Sequence, residues 1–372
     1  MTLLVNNLNR MNTHTLKTIK KIELEITSDC NAACPGCART QHLGKFDIVS
    51  FTLEDLKRLF PTEEYIKDKL FKFCGVLGDP AKHPSMVDMI EYIISNNGNC
   101  EVSTNGGIQN IQWWQSLGKL TQDYPGQVYI HFCVDGHKDT NHIYRVNTKF
   151  DIIERNMKAF SDYAAPNSAK WVYIVFDHNQ NDIDAARTHA GQLGFDFAIR
   201  TGMRNSYHNW ISKIRKKENK KVKIEEKIIT TTGKKEHSKK LEVEELDKFI
   251  NNYKNKNITK TEIKKITNTI ICKYVHEGEI FIASNLTLWP CCFLWDSKIT
   301  NKEFISEKLL EYGEDWNDLK QNSIEDVLKH PWYEKVLELS WDPGHNKHFS
   351  RCIKTCAKNK AYQNEFRNIN EE

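Results

Sequence analysis

The sequence predicts an α/β protein built on a parallel sheet, with its chemistry where the strands end. Three observations carry that expectation. Six short segments rich in β-branched and aromatic residues fall within the first two hundred positions. Longer stretches with helical spacing of apolar residues lie between them, and a cysteine-rich loop follows the first segment directly. Alternation of strand and helix favours parallel pairing, because each crossover helix returns the chain to the same end of the sheet.

In chain order the strand candidates are KIELEIT (21–27), FKFCGVL (71–77), NCEVSTN (99–105), QVYIHFCVD (127–135), KWVYIVF (170–176) and FDFAIR (195–200). Between them PSMVDMIEYIISN (84–96), FDIIERNMKAFSDYA (150–164) and DIDAARTHAGQLG (182–194) read as helices, with Asp151 and Asp182 as starts and Gly194 as a stop. Cys74 and Cys100 lie inside strand-like segments and are expected in the core. In β/α folds catalytic groups collect at the carboxyl ends of the strands, which places CNAACPGC (30–37) at that mouth.

At 372 residues the chain can hold two or three domains and a core that needs no disulfide staples. A net charge of +4 demands neither a nucleic-acid nor a membrane partner. The opening residues lack the apolar run of a signal peptide, and no run approaches the length of a bilayer-spanning helix. The expectation is therefore a cytoplasmic protein. Eleven cysteines in a reducing compartment point to metal binding or catalysis rather than to a disulfide framework.

Composition changes after position 205. Residues 206–268 hold 18 Lys or Arg against 9 Asp or Glu, with weak apolar periodicity. A solvated lysine-rich insertion or linker is expected there; the sharper alternative is an electrostatic dock for an acidic substrate, partner or nucleic acid. Beyond it, ICKYVHEGEIFIASNLTLWPCCFLWDSK (271–298) reads as a β-hairpin with cysteines near both ends. A helical stretch, SIEDVLKHPWYEKVLELS, follows, and RCIKTC closes the region. The expected division is 1–205, 206–268 and 269–372.

Three thiols at 30, 34 and 37 admit several readings. Three buried small hydrophobes in eight positions of a Gly/Pro-bearing loop would be unusual. A CPGC redox pair would use Cys34 and Cys37 but leave Cys30 idle. A zinc site would need a fourth ligand, such as His42. An iron–sulfur cluster takes thiolate ligands, and three of them on four irons leave one iron open to bind a substrate or cofactor.

Cys-x3-Cys-x2-Cys after the first strand of a six-strand β/α series resembles the radical SAM superfamily. The resemblance covers residues 21 to about 200 and implies a partial (β/α)6 TIM-like barrel. It implies a 4Fe-4S cluster on Cys30, Cys34 and Cys37 whose open iron chelates S-adenosylmethionine, SAM. An electron from the reduced cluster cleaves the sulfonium, and a 5′-deoxyadenosyl radical abstracts a substrate hydrogen. GVLGDPAKHP stands where the family has its glycine-rich segment, so Gly78, Asp79 and Pro80 match the positions that hold the SAM amino group. STNGG matches the TNG turn at Thr104 and Asn105, with Gly106. Asp135 and Arg145 match a polar residue at the SAM or substrate face and a partner for the SAM carboxylate, and Asn179 matches a recurrent asparagine. Two positions depart from the pattern: Gly36 replaces an aromatic residue near adenine, and Cys133 replaces a serine.

The C-terminal hairpin, the helix after it and the distal Cys-x3-Cys resemble a twitch domain, the shortened SPASM extension of this superfamily. That would be a small α+β iron–sulfur domain with one auxiliary 4Fe-4S cluster on Cys272, Cys291, Cys352 and Cys356, with Cys292 as the alternative to Cys291. Four cysteines could equally hold structural zinc. The implied activity is an oxidoreductase acting on a small polar metabolite, served by a one-electron reductant such as flavodoxin or ferredoxin. Peptide or protein modification by the same chemistry is the alternative. A zinc-stabilised nucleic-acid-binding module using the basic insert is the alternative of another class.

Overall fold

The computed structural model describes residues 14–200, 270, 272–300, 312–313, 315–337, 340–341, 352 and 356. The lysine-rich segment 206–268 lies outside the described residues. The chain divides into two compact units, one holding residues up to 203 with 273–330 and 363–372, the other holding 204–272 with 331–362.

In the first unit, β1 (Lys21–Leu24), β2 (Leu70–Phe73), β3 (Asn99–Thr104), β4 (Val128–Cys133), β5 (Ala169–Ile174) and β6 (Asp196–Arg200) pair in parallel, each beside the next. Six consecutive parallel strands with intervening helices are the wall of a partial (β/α) barrel. The strands end sooner than predicted, β1 at Leu24 and β2 at Phe73. Beyond those points the backbone turns into the loops that build the mouth.

Crossovers are formed by α1 (Leu53–Leu59), α2 (Met86–Ser95), α3 (Ile111–Asp123), α4 (Phe150–Ser161) and α5 (Ile183–Gln192). Two starts have side-chain caps: Thr52 and Asp55 form a reciprocal capping box, and Asn110 accepts from the Trp113 amide at 2.9 Å. The later two helices start where the sequence places them, at Phe150 and, after the N-cap residue Asp182, at Ile183, but neither start has a side-chain cap. Asp151 lies one residue inside α4, and the Asp182 carboxylate accepts from the Thr140 hydroxyl instead of capping α5. Gly194 does end α5, at φ +72°, where a side chain would be strained.

Side-chain alternation along the strands gives the sheet two unlike faces. Phe71, Phe73, Val102, Ile130, Phe132 and Trp171 are fully buried toward the helices, and Phe132 stacks on Phe195 with ring centres 5.3 Å apart. Each such side chain contributes about 1.5–3 kcal/mol of burial. The other face carries Glu23, Lys72, Glu101, His131 and Lys170, with Glu23, Lys72 and Glu101 in one register row. Burial holds the His131 imidazole down to about 4 although the Glu101 carboxylate lies 3.4 Å away. Cys100 is in the core as expected. Cys74 instead faces the polar side, where its thiol donates to Glu23 at 3.0 Å.

The predicted hairpin is present as β7 (Glu279–Ile282) and β8 (Leu288–Trp289), antiparallel to each other. Its first strand does more than close a hairpin, because β7 also runs parallel to β1 and extends the main sheet. An eighth position in the sheet follows, giving the order β6-β5-β4-β3-β2-β1-β7-β8. Helix α6 (Cys292–Thr300) follows the hairpin. Helix α7 (Ile324–Leu328) opens on a capping box of Ser323 and Asp326. Pro331 then precedes a π-type turn, Trp332–Val336. Among the described residues no helix is long and apolar enough to cross a membrane.

Candidate functional site

The loop after β1 is held on three sides before any cysteine is considered. Ser28 donates its amide to Val49, and the buried Arg39 guanidinium donates to the Ser28 carbonyl. Asp29 lies 3.5 Å from Arg39 and 3.3 Å from Lys82. The Ala33 amide donates to the Val146 carbonyl, and the Cys37 amide to the Cys34 carbonyl at 3.0 Å, closing the turn that carries Cys34 and Cys37.

Polar groups line the sulfurs, N–H donors at Cys30 and Cys34 and a carbonyl at Cys37. Cys30 Sγ lies 3.4 Å from the Ala32 amide and 3.8 Å from Asn105 Nδ2, and Cys34 Sγ lies 3.9 Å from Arg145 Nη1. The Cys37 thiol faces the Val76 carbonyl at 3.7 Å. Burial pushes the Cys30 thiol up to about 12, with Asp79, Cys34 and Cys37 adding to it. Three thiols that influence one another electrostatically, two of them beside N–H donors, suit an anionic cluster whose irons would displace their protons. The donor set therefore fits a 4Fe-4S group. Among the described residues no three His, Cys, Asp or Glu side chains converge on a single metal ion. Ligands of a cluster bind different irons and need no such convergence.

The second loop is pressed against the first. A Cβ on Gly78 would stand 1.8 Å from the Thr27 carbonyl oxygen, so only glycine permits this approach. The Asp79 amide donates to Asp29 at 2.8 Å. Asp79 itself is buried and accepts from the Ala81 amide (3.0 Å), the Thr104 hydroxyl (2.8 Å) and the Asn105 amide (2.7 Å). Burial raises its carboxyl even so. Pro80 begins the single turn Pro80–Lys82 that this carboxylate caps. Asp79 and Thr104 thus tie the ends of β2 and β3 together.

Asn105 reaches toward the cysteines. Its side chain donates to Asn31 at 2.8 Å and accepts from the Gly107 amide at 2.8 Å. Gly106 takes φ +72°, which turns the chain back over the end of β3.

On the other side of the mouth, fully buried Asp135 accepts from Arg145 Nε at 2.7 Å and from the Ile174 amide at 2.7 Å. The pair aims the Arg145 guanidinium at Cys34. Asn179, also fully buried, donates to the Asp135 and Ile174 carbonyls at 2.9 Å each and accepts from the Phe176 amide at 2.7 Å. Its amide is committed to joining the β4 and β5 loops. Cys133 is half-buried, one layer below Asp135.

Cys30, Cys34, Cys37, Asn105 and Arg145 are brought together, while Asp79, Thr104, Asp135 and Asn179 brace them from behind. Cys291 and Cys292 fall in the first compact unit, and Cys272, Cys352 and Cys356 in the second. Two participants escaped the sequence reading. Asn31 sits between two cysteines and was hidden by its neighbours. Fully buried Glu25 accepts from the Leu77 amide at 2.6 Å; its only signal was a charge at an inward position near the end of a strand.

No protein-family model matches the chain. A segment of 109 residues is 32% identical to the tungsten-containing aldehyde ferredoxin oxidoreductase cofactor-modifying protein of Pyrococcus furiosus, covering 28% of this chain and 29% of that protein. The match thus spans less than a third of that relative's length. Among solved structures, SuiB of Streptococcus suis aligns with a TM-score of 0.51 at 11% identity, over 90% of this chain and 72% of that one. SuiB bound to the precursor peptide SuiA aligns equally well, with a TM-score of 0.51 over 90% and 71% of the two chains. At that identity the likeness is one of fold.

Proposed function

We propose that the chain is a radical SAM enzyme. In this reading Cys30, Cys34 and Cys37 hold a 4Fe-4S cluster, and the loop carrying Gly78 and Pro80, with Asn105 and Arg145, receives SAM. The observation that carries it is the meeting of three thiols with an arginine and an asparagine at the carboxyl end of a parallel sheet. When bound, the cluster would pass an electron to the SAM sulfonium and so generate a 5′-deoxyadenosyl radical that abstracts a substrate hydrogen.

The chain's own residues have separable roles. Arg145 is the cation suited to the SAM carboxylate, and Asp135 fixes its direction from behind. Asp79 and Thr104 hold the second loop at the height of the cysteines. Asn179 locks the loop that presents Asp135. Cys272, Cys291 (or Cys292), Cys352 and Cys356 are the ligands proposed for an auxiliary cluster in a twitch-like C-terminal region. An auxiliary electron acceptor suits oxidation of a small polar metabolite.

A second reading, modification of a peptide or protein, is favoured by the likeness in fold to SuiB, which was solved with a precursor peptide. The partial match to a cofactor-modifying protein is compatible with either substrate class.

The test is anaerobic reconstitution with iron and sulfide, then incubation with SAM and a one-electron reductant. The wild type should form 5′-deoxyadenosine, and the variant with all three of Cys30, Cys34 and Cys37 replaced by Ala should form none and lose one cluster's iron. Product formation by that variant would overturn the assignment. Mass spectrometry of metabolite and peptide pools after turnover separates the two substrate classes.

A further inference from the structure

Glu25 has no part in the reading above, yet it is as fully enclosed as Asp135. It lies one residue past β1 and is fully buried. Its Oε1 accepts from the Leu77 amide at 2.6 Å, and its Oε2 from Trp295 Nε1 at 3.1 Å and the Ser284 hydroxyl at 3.4 Å. Its backbone amide donates to Ile282, in β7. One side chain therefore joins three segments far apart in sequence: the loop of Gly75 to Asp79, the end of β7, and helix α6.

The loop it grips is the one proposed to receive SAM. Val76, the residue before Leu77, offers its carbonyl to Cys37. Gly78, the residue after, lies against Thr27 with no space for a side chain. Gly75 is closed in as well, with a Cβ there 2.6 Å from the Gly78 carbonyl oxygen and 3.2 Å from Glu25 Oε1. Two glycines give this loop little rotameric restraint of its own, so its conformation depends on what holds it from outside. A buried carboxylate accepting N–H groups makes stronger hydrogen bonds than a neutral acceptor would. Trp295 and Ser284, both buried, hold the carboxylate in turn.

We infer that Glu25 is a positioning residue, through which Ser284 and Trp295 of the C-terminal hairpin and helix fix the Val76–Leu77 backbone and with it the SAM-binding loop. The inference rests on the radical SAM reading only in its last step, and the bracket itself can be measured without cofactor.

The experiment has two readouts on the full-length chain. In apo protein labelled with 15N-leucine, amide exchange at Leu77 should quicken by about tenfold or more in Glu25→Ala, which removes the acceptor of the Leu77 amide. Glu25→Gln, which restores an acceptor for Leu77, should recover most of the protection. Trp295→Phe, altered only at the far end of the bracket, should give an intermediate value, and it carries both readouts if Glu25→Ala fails to fold. In reconstituted enzyme the same series should raise the KM for SAM about tenfold with a smaller change in kcat for 5′-deoxyadenosine, again with rescue by Glu25→Gln. Leu77 exchange at the wild-type rate in both Glu25→Ala and Trp295→Phe would overturn the bracket. Faster exchange with an unchanged KM for SAM would overturn the positioning role. A wild type that makes no 5′-deoxyadenosine would overturn the enzymatic reading, while the exchange series still decides the bracket.

Discussion

The two sides of the mouth are braced by buried carboxylates, but not by the same means. On the β1–β3 side Glu25 and Asp79 accept only from neutral donors: backbone amides, hydroxyls and an indole. On the β4–β5 side Asp135 holds a guanidinium. Burial raises both carboxyls on the first side, Glu25 to about 7, because hydrogen bonds from neutral groups do not repay the lost hydration of a charge. A carboxylate among neutral donors serves as a bracket. One paired with a cation can also point that cation at something, and here the arginine points at Cys34.

The sharpest way to break the contrast is Asp135→Ala. It strands an arginine whose side chain is mostly enclosed, a loss of up to about 3–5 kcal/mol, the cost for a fully buried pair. Thermal denaturation should show a large fall in Tm, and Arg145→Lys, which keeps a charge near Asp135, should show a smaller one. Equal losses in the two variants would mean that the pair braces the loops without directing the guanidinium.

Glu25 should give the next largest effect, as a pH dependence. Its folded-state pKa of about 7 exceeds the ordinary value of 4.5, so the folded chain binds the extra proton between those limits. Its contribution to stability is therefore present below about pH 4.5 and lost as pH rises through 7, a change of up to about 3 kcal/mol. Denaturant midpoints from pH 4.5 to 8 should fall less steeply in Glu25→Gln than in wild type. Parallel slopes would show that Glu25 is solvated. The smallest effect is expected of Asp79→Asn, which keeps the volume but turns one acceptor into a donor facing backbone N–H groups. A loss of about 1–3 kcal/mol is expected. If it exceeds that of Asp135→Ala, the two sides are not braced as described.

The sheet could be read from the sequence because its signals are local. Apolar faces such as Phe71 and Phe73 on β2 or Ile130 and Phe132 on β4 repeat at every second residue. The cysteine spacing was legible for the same reason, whereas Asp135 and Arg145 were picked out singly through the family resemblance and their pairing was not foreseen. What was not legible depends on partners remote in sequence. Nothing near Glu25 announces Trp295, 270 positions away. Asp182 looks like a helix cap until Thr140 takes its carboxylate. Asn179 was matched only to a recurrent asparagine, and nothing near it in sequence announces that its amide joins the loops of β4 and β5.

The placement of β7 against β1 has a consequence for the birth of the molecule. β1 has β2 on one flank and β7 on the other, and β7 follows it by more than 250 positions in the chain. At a synthesis rate of about 5–20 residues per second, that flank stays open for about 10–50 s after β1 leaves the ribosome. Throughout that interval an unpaired strand edge sits beside the cysteine loop. Closing it requires one of the most distant pairings in the sheet, and such contacts are slow to form. The nascent chain is thus most exposed to mispairing and oxidation at the strand on which the three cysteines depend.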